Sequence, residues 1–212
     1  MKIYYIGVIR NAPKPAHELV SVKDLNSFSF FQRSTVSEFL TMFSGTVAER
    51  TGPASRQDIE EQSYTFHAYG RSEGIAGVII SDHDYPKLVA HKLLSQVVDD
   101  FLTMHPRPKW AEGTPRLELP ALAEYIVKYQ DPKQADSIMR IQQELDETKI
   151  VLHKTIESVL ERGEKIDSLV QRTKLLLYHH LDCAIVFLFF IFRLQCTEDR
   201  QTIICMTDEK GR

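Results

Sequence analysis

Steps of three and four residues between apolar positions alternate regularly through the second half of this chain. This spacing is the a/d pattern of a left-handed coiled coil, because a period of 3.5 residues keeps one stripe of a helix facing its partner helices. At 1.5 Å per residue, a helix carrying the whole stripe would be about 48 Å long. The stripe consists of Ile138, Ile141, Leu145, Thr148, Leu152, Thr155, Val159, Arg162, Ile166 and Leu169.

One member of this stripe, Arg162, is charged. An arginine on a helix usually faces solvent, but Val159 and Ile166 on either side place this one on the apolar stripe. A buried charge without partners is strongly destabilising, and a buried polar residue can fix the register and the choice of partner helices. We therefore expect Arg162 to meet polar groups of other helices. The stripe could also pack on the chain's own globular part, and neither arrangement excludes the other.

The coiled-coil segment has the features of a helix that needs partners. Asp131 and Pro132 supply an N-cap and a proline at the first helical position. Thr148 and Thr155 make the stripe less apolar, and Gly163 costs about 1 kcal/mol of helix propensity. By itself this helix should be marginal or disordered, and it should fold on meeting its partners.

Size and composition fit one globular domain of medium size plus an extension. The chain has 212 residues, of which 43% are hydrophobic and 26% are charged. Its net charge is −3 and it has no basic stripe, so nucleic acid is not an expected partner. The body of the protein lacks cysteine and therefore fits a reducing compartment. The cysteines near the end lack zinc-ligand spacing, and we expect no metal and no cofactor.

Strands and helices before residue 130 come in groups instead of alternating one by one. Thr35 and Glu38 form a capping-box pattern that predicts the start of one helix, and Tyr85 and Pro86 predict the start of another. Grouped strands favour an α+β domain with an antiparallel sheet covered by helices over a doubly wound fold. The predicted strands are residues 2–9, 19–23, 63–69 and 75–81, with a weaker one near 59–62, and the predicted helices are 35–50, one opening at 85–86, and 120–129.

Three stretches carry a resemblance to a known family. Residues 144–153 (Glu-Leu-Asp-Glu-Thr-Lys-Ile-Val-Leu-His) and 160–165 (Leu-Glu-Arg-Gly-Glu-Lys) resemble the SNARE motif of R-SNAREs. Residues 27–34 (Ser-Phe-Ser-Phe-Phe-Gln-Arg-Ser) resemble the longin domain of the Ykt-type synaptobrevin homologues, the lipidated R-SNAREs of Golgi and vesicle traffic. The resemblance covers roughly residues 1–172 and includes both modules in the expected order.

The resemblance implies a fold and an arrangement of domains. Residues 1–130 would form a profilin-like longin domain, with a five-stranded antiparallel sheet between helices, and residues 131–172 would form the R-SNARE helix. Arg162 would occupy the central layer, where it meets three glutamines of three other SNARE helices. The stripe from Ile138 to Val159 would form the layers on the N-terminal side, and Ile166 and Leu169 the first layers beyond it.

The implied function is fusion of transport vesicles in ER–Golgi and endosomal traffic. Four parallel helices, one from this chain and three from glutamine-SNAREs, would zip together and draw two membranes close. The protein would occupy the cytosol and the cytoplasmic face of Golgi and vesicle membranes. No bond chemistry is needed, so no catalytic residue is expected, and the chain also lacks the common hydrolase and nucleotide-binding motifs.

The same resemblance implies autoinhibition. In the family the longin domain folds back on its own SNARE helix and shields a lipid in an apolar groove. Phe39 would line that groove, although an ordinary core phenylalanine accounts for this residue equally well. Met42 and Phe43 are further candidates for the groove.

The last part of the chain departs from the family. The family ends in paired cysteines within a C-a-a-X box, whereas this chain ends Thr207-Asp-Glu-Lys-Gly-Arg, and we interpret residues 173–212 as a divergent tail. Its apolar run, Cys183–Phe192, is short against the roughly 20 residues of a membrane-spanning helix. The mode of membrane attachment therefore stays open. Acylation and plain free thiols are alternatives for Cys183, Cys196 and Cys205.

A binding role without fusion is the alternative function. A longin and SNARE module that lacks an anchor would act as an adaptor or inhibitor, because it could occupy glutamine-SNAREs without joining two membranes. Formation of a four-helix complex together with lipid mixing would distinguish a fusion protein from such an inhibitor.

Overall fold

A mixed sheet with helices on both faces forms the described part of the protein. The computed structural model describes residues 2–61, 63–130, 150–153 and 155–160. The strands are β1 (Ile3–Arg10), β2 (His17–Lys23), β3 (Ser55–Glu61), β4 (Tyr64–Gly70), β5 (Ile75–Asp82) and β6 (Ile150–His153). The helices are α1 (Phe30–Arg50), α2 (Lys87–Met104) and α3 (Ala121–Lys128), with 3₁₀ turns at Arg107–Lys109 and Ile156–Val159.

The strand order is β2-β1-β5-β4-β3-β6. The first five strands pair antiparallel throughout, and β6 adds to the outer edge of β3 in parallel. The predicted α+β class, with an antiparallel sheet and helices on both faces, is confirmed. The sixth strand goes beyond the five that the family resemblance implies.

Two apolar cores lie on the two faces of the sheet. Side chains alternate between the faces along each strand, so Tyr5 and Ile9 of β1 face α1, while Ile6 and Val8 face α2 and α3. We call these the α1-side core and the α2-side core. Because both faces are covered, the central strands are apolar along nearly their whole length, which makes them easy to recognise in the sequence.

Close packing of α2 on the sheet depends on Gly77 of β5. A Cβ atom at this position would lie 2.8 Å from Val98 Cγ2 and 3.0 Å from Leu94 Cδ2. Atoms at those distances overlap, so any larger residue would push the helix away from the sheet. The glycine thus sets how near α2 can lie to the strands beneath it.

Helix α1 begins at Phe30, five residues before the predicted start, which was therefore wrong. The cap is Ser29, whose backbone N–H donates to Gln32 Oε1 over 3.3 Å. Ser29 and Gln32 form a capping box that comes earlier in the sequence than the one predicted at Thr35 and Glu38. The two signals lie six residues apart, and the helix extends through the second one.

Residues 150–153 and 155–160 do not form an α-helix in the chain alone, for which the sequence predicted a helix that is marginal or disordered until it meets its partners. They form the strand β6 and a 3₁₀ turn instead. The physical reason lies in β3, whose outer edge offers unpaired N–H and C=O groups to any extended segment. A marginal isolated helix competes poorly with such an edge, and Ile150 and Val151 are β-branched residues that favour a strand.

Candidate functional site

The candidate site is the edge of β3, where the predicted SNARE segment lies on the predicted longin domain. Four residue pairs are in register from Arg56 opposite Ile150 to Ile59 opposite His153. Within the described ranges, β6 is the outermost strand on this side of the sheet. Backbone pairing of this kind depends little on side chains. The preference of the β3 edge for this segment must therefore come from the turn that follows.

Ile156 anchors that turn. Its side chain is fully buried in the α1-side core, and its backbone N–H donates to Glu61 Oε2 over 2.9 Å. Val159 and Leu160 are partly buried against the same core. Full burial of an isoleucine stabilises by roughly 1.5–3 kcal/mol, so this one side chain makes a contribution of that size to docking.

The docked segment does not bury the predicted coiled-coil stripe. Leu152 is 53% exposed, Thr155 is exposed and Val159 is half-buried, whereas Ile156, which lies outside the stripe, is completely enclosed. A strand and a 3₁₀ turn present different residues from those of an α-helix, because their side-chain periods are 2 and 3 residues instead of 3.6. The main docking side chain, Ile156, therefore differs from the predicted coiled-coil side chains, although the stripe member Val159 also packs partly against the α1-side core.

The three predicted groove residues lie on α1 and reach the same α1-side core. Phe43 is buried, with its ring centroid 4.3 Å from that of Phe39 and 6.2 Å from that of Phe66. Phe39 and Met42 are partly buried at the margin of this core. Phe43 is thus a core residue in this structure, while Phe39 and Met42 line its outer side. Their role in shielding a lipid stays a prediction.

A polar network that the sequence analysis missed lies on the opposite face of β3. Asp58 Oδ1 accepts hydrogen bonds from His67 Nδ1 and from His91 Nε2, both over 2.7 Å, and His67 Nε2 lies 3.0 Å from Ser81 Oγ. All four residues are buried, at 1% exposure or less. Asp58 and His67 face each other across β3 and β4, and His91 comes down from α2.

Burial and hydrogen bonding act in opposite directions on this network. Burial alone would raise the pKa of Asp58, but the hydrogen bonds from His67 and His91 outweigh it and hold that pKa well below its usual range. Burial lowers the pKa of His67, and the nearby Asp58 carboxylate offsets this only in part. The network is therefore built around a carboxylate that is ionised and a His67 ring that is neutral near pH 7.

Asp58, His67 and His91 also form the one group of possible metal ligands within the described residues, with ligand atoms all inside 4.8 Å of one another. Two N–H···O bonds to the carboxylate already account for their arrangement. The periodic spacing of charged residues along β3 is the sequence signal that could have revealed the network. Every second residue of β3 (Arg56, Asp58, Glu60) is charged although the strand lies beneath a helix.

Several predicted residues lie outside the described residues. They are the stripe members Ile138, Ile141, Leu145, Thr148, Arg162, Ile166 and Leu169, and the cysteines Cys183, Cys196 and Cys205. Among the helices of the described ranges, none is both long and apolar enough to cross a bilayer.

Comparisons with known proteins agree with the two modules. The family model for the longin, or regulated-SNARE-like, domain matches residues 25–126, and the synaptobrevin model matches residues 137–179. The chain is 58% identical over 173 residues to the synaptobrevin homologue ykt6 of Schizosaccharomyces pombe, covering 82% of this chain and 88% of the relative. It is 55% identical over 177 residues to YKT6 of Saccharomyces cerevisiae, with the same coverage of both chains.

The chain belongs to the Ykt6 family of synaptobrevin homologues. It is accordingly a longin-domain R-SNARE of vesicle trafficking and not an enzyme, as the sequence predicted. Membership also implies SNARE partners and a contact between longin domain and SNARE segment within the chain. The docked residues 150–160 fall inside the range that the synaptobrevin model matches, so the edge of β3 carries part of the SNARE motif itself.

Proposed function

We propose that this R-SNARE pairs with three glutamine-SNARE helices to drive vesicle fusion in ER–Golgi and endosomal traffic, and that its longin domain restrains it beforehand. The observation that carries the restraint is the docked segment 150–160, which is a strand and a turn on β3. A residue cannot be part of a strand and of a four-helix bundle at the same time. Assembly with partners therefore requires these residues to leave the longin domain.

The sequence pattern supports the bundle. Leu152 and Val159 are two of the predicted layers and are only partly covered in the docked state. In a bundle they would gain burial, and each fully buried leucine or valine stabilises by roughly 1.5–3 kcal/mol. Arg162 would form the central layer and select partners that supply acceptors for its guanidinium. We take residues 131–172 as the SNARE motif and residues 173–212 as a separate tail.

We propose that the margin of the α1-side core shields apolar groups from water. Phe39 and Met42 pack against the same apolar cluster as the docked turn, so the proposed groove and the docked SNARE segment share one core. A lipid or another apolar segment held there would leave together with residues 150–160 when the partners bind. The proposed locations are the cytosol for the closed form and the cytoplasmic face of Golgi and vesicle membranes for the open form.

Hydrogen exchange on the full chain, with and without three glutamine-SNARE helices, tests this function. We expect slow exchange at the β6 amides and at Ile156 in the free chain. Addition of the partners should raise helicity, release Glu61 from Ile156, and support lipid mixing between vesicles. Complex formation without lipid mixing would favour the adaptor or inhibitor function, and absence of any complex would contradict both.

A further inference from the structure

The first turn of helix α1 projects from the body of the protein. Residues 29–34 are all exposed, and the first buried residue of the helix, Leu40, lies about 15 Å beyond Phe30 along the axis. Phe30 and Phe31 are 79% and 89% exposed, which makes them the most exposed large apolar residues in the part of the chain that the structure describes. We call residues 29–34 the α1 tip.

Aromatic contacts support the α1 tip. The rings of Phe30 and Phe31 pack edge to face, with their centroids 5.9 Å apart. Just before them in the chain, the ring of Phe28 lies 5.7 Å from that of Tyr4, and the ring of Tyr4 lies 5.3 Å from that of Tyr64 on β4. The two exposed rings therefore form one small apolar patch, next to a segment that is fixed to the sheet.

The charge of the α1 tip has one sign. Arg33 is exposed, and it is the one charged residue between positions 25 and 37 of the sequence. Its Nε donates to the carbonyl oxygen of Phe28 over 3.3 Å. Acidic residues are favoured in the first turn of a helix, because they offset the partial positive charge of its N-terminus, but α1 has none there. The tip thus combines an apolar patch with positive charge.

The positions of the two rings in the sequence determine how the tip can bind. An amphipathic helix binds a protein groove side-on, through apolar residues three or four positions apart. Phe30 and Phe31 are adjacent, so they point to different sides of the helix, and the residues after them, Gln32 to Ser34, are polar. Such a tip makes contact end-on. A soft surface with an apolar layer beneath anionic groups can accept both rings and Arg33 at once.

We propose that the α1 tip is a membrane contact, in which Phe30 and Phe31 insert into the interface of a bilayer that contains anionic lipid and Arg33 binds the headgroups. Apolar side chains beside cations are typical of segments that lie in this interface. Water and phosphate oxygens there can also accept from the free N–H groups at the start of the helix.

This contact goes beyond the proposed function. It involves neither residues 150–160 nor the tail, and its side chains are exposed while the SNARE segment is docked. The closed chain could therefore lie on a membrane before its partners bind. The longin domain would then take part in membrane attachment as well as in restraint.

The contact should be weak and reversible. Full burial of one phenylalanine side chain shifts an equilibrium by more than about tenfold. Partial insertion of two rings should therefore raise the affinity for vesicles by about 10- to 100-fold. One cation at an anionic surface should add about fivefold. Even a single acyl chain gives only marginal attachment, so the tip would position the chain on a membrane without anchoring it.

Tryptophan fluorescence of the full chain tests the contact at the tip itself. The one natural tryptophan, Trp110, is 1% exposed and lies in the α2-side core, so it gives a constant background. Vesicles of phosphatidylcholine and phosphatidylserine should shift the emission of Phe31→Trp to shorter wavelength, and brominated acyl chains should quench it. Val127→Trp is the matched control, because position 127 on α3 is 73% exposed and apolar, and its emission should stay unchanged.

Flotation with the same vesicles measures the affinity. Replacement of both Phe30→Ser and Phe31→Ser should weaken binding by about 10- to 100-fold, and Val127→Ser should leave it unchanged. Arg33→Gln should remove about a fivefold preference for these vesicles over pure phosphatidylcholine. All four positions are exposed, so the variants should fold, and thermal melting verifies this.

Unchanged emission of Phe31→Trp on addition of vesicles would overturn the proposal, and so would undiminished flotation of the double serine variant. Emission at short wavelength before vesicles are added would overturn it as well, by showing that another segment of the protein covers the tip. Hydrogen exchange at β6 is measured separately. Failure of the membrane contact would therefore leave the proposed restraint of the SNARE segment intact.

Discussion

Two substitutions in the SNARE segment should separate docking from bundle assembly. Ile156→Ala removes a fully buried side chain from the α1-side core. Such truncations cost about 2–5 kcal/mol, and a surface turn should lie near the lower end because it can relax. A loss of about 2–3 kcal/mol corresponds to a rise of about 30- to 150-fold in opening.

Leu152→Ala should act in the reverse way. Leu152 is 53% exposed when docked, so its truncation should cost less than about 1 kcal/mol there. As a bundle layer it would be enclosed, and the same truncation should cost about 2–5 kcal/mol in the complex. The side chain of Ile156 lies outside the stripe, so its loss should leave the melting temperature of the complex nearly unchanged.

The assay combines hydrogen exchange of residues 150–160 in the free chain with thermal melting of the chain bound to three glutamine-SNARE helices. Ile156→Ala should raise exchange and speed assembly, and Leu152→Ala should lower the melting temperature of the complex alone. Val151→Ala, at a 44% exposed position outside the stripe, is the control expected to change neither. If both variants shifted exchange and melting equally, the separation of the two surfaces would be refuted.

Three further predictions concern single contacts. Glu61→Ala should raise hydrogen exchange at Ile156 about fivefold, since one hydrogen bond of about 1 kcal/mol is lost. An unchanged rate would show that this bond does not stabilise the docked turn. Gly77→Ala should lower the free energy of unfolding by about 1–3 kcal/mol, because its Cβ would overlap α2. In Gly45→Ala the new Cβ meets nothing within 4 Å, so this change should raise the free energy of unfolding by about 0.5–1 kcal/mol. Denaturant titration measures both changes. Arg162→Gln should weaken the fidelity of partner choice in mixed-SNARE assembly and leave the melting of the longin domain unchanged; a large drop in that melting temperature would place the arginine in the globular part.

The sheet and helices could be predicted because each element has a dominant local signal. The central strands are apolar and β-branched, and α2 and α3 have clear apolar faces and proline starts. The start of α1 was wrong because two capping patterns lie six residues apart, and only the structure shows that Ser29 is the cap. Strand β3 gave a weak signal because its charged residues are satisfied by α2, a contact distant in sequence.

The candidate site was harder to predict. The stripe from Leu152 to Val159 predicts only the proposed assembled state, and it gives no information on where these residues lie in the free chain. Docking depends on the free edge of β3 and on a cavity for Ile156, which exist only after the domain has folded. The polar network of Asp58, His67, His91 and Ser81 was missed for the same reason, since its members come from four elements and no spacing along the chain connects them.

A disulfide between β3 and β6 tests the central claim most directly. Gln57 and Val151 are partners in the parallel register, and neighbouring strands lie about 4.8 Å apart, within the range of a disulfide. The chain would carry Gln57→Cys and Val151→Cys, with serine in place of Cys183, Cys196 and Cys205. We expect the oxidised chain not to assemble with glutamine-SNAREs and the reduced chain to assemble normally. Assembly of the oxidised chain at the reduced rate would show that docking of residues 150–160 does not restrain this SNARE.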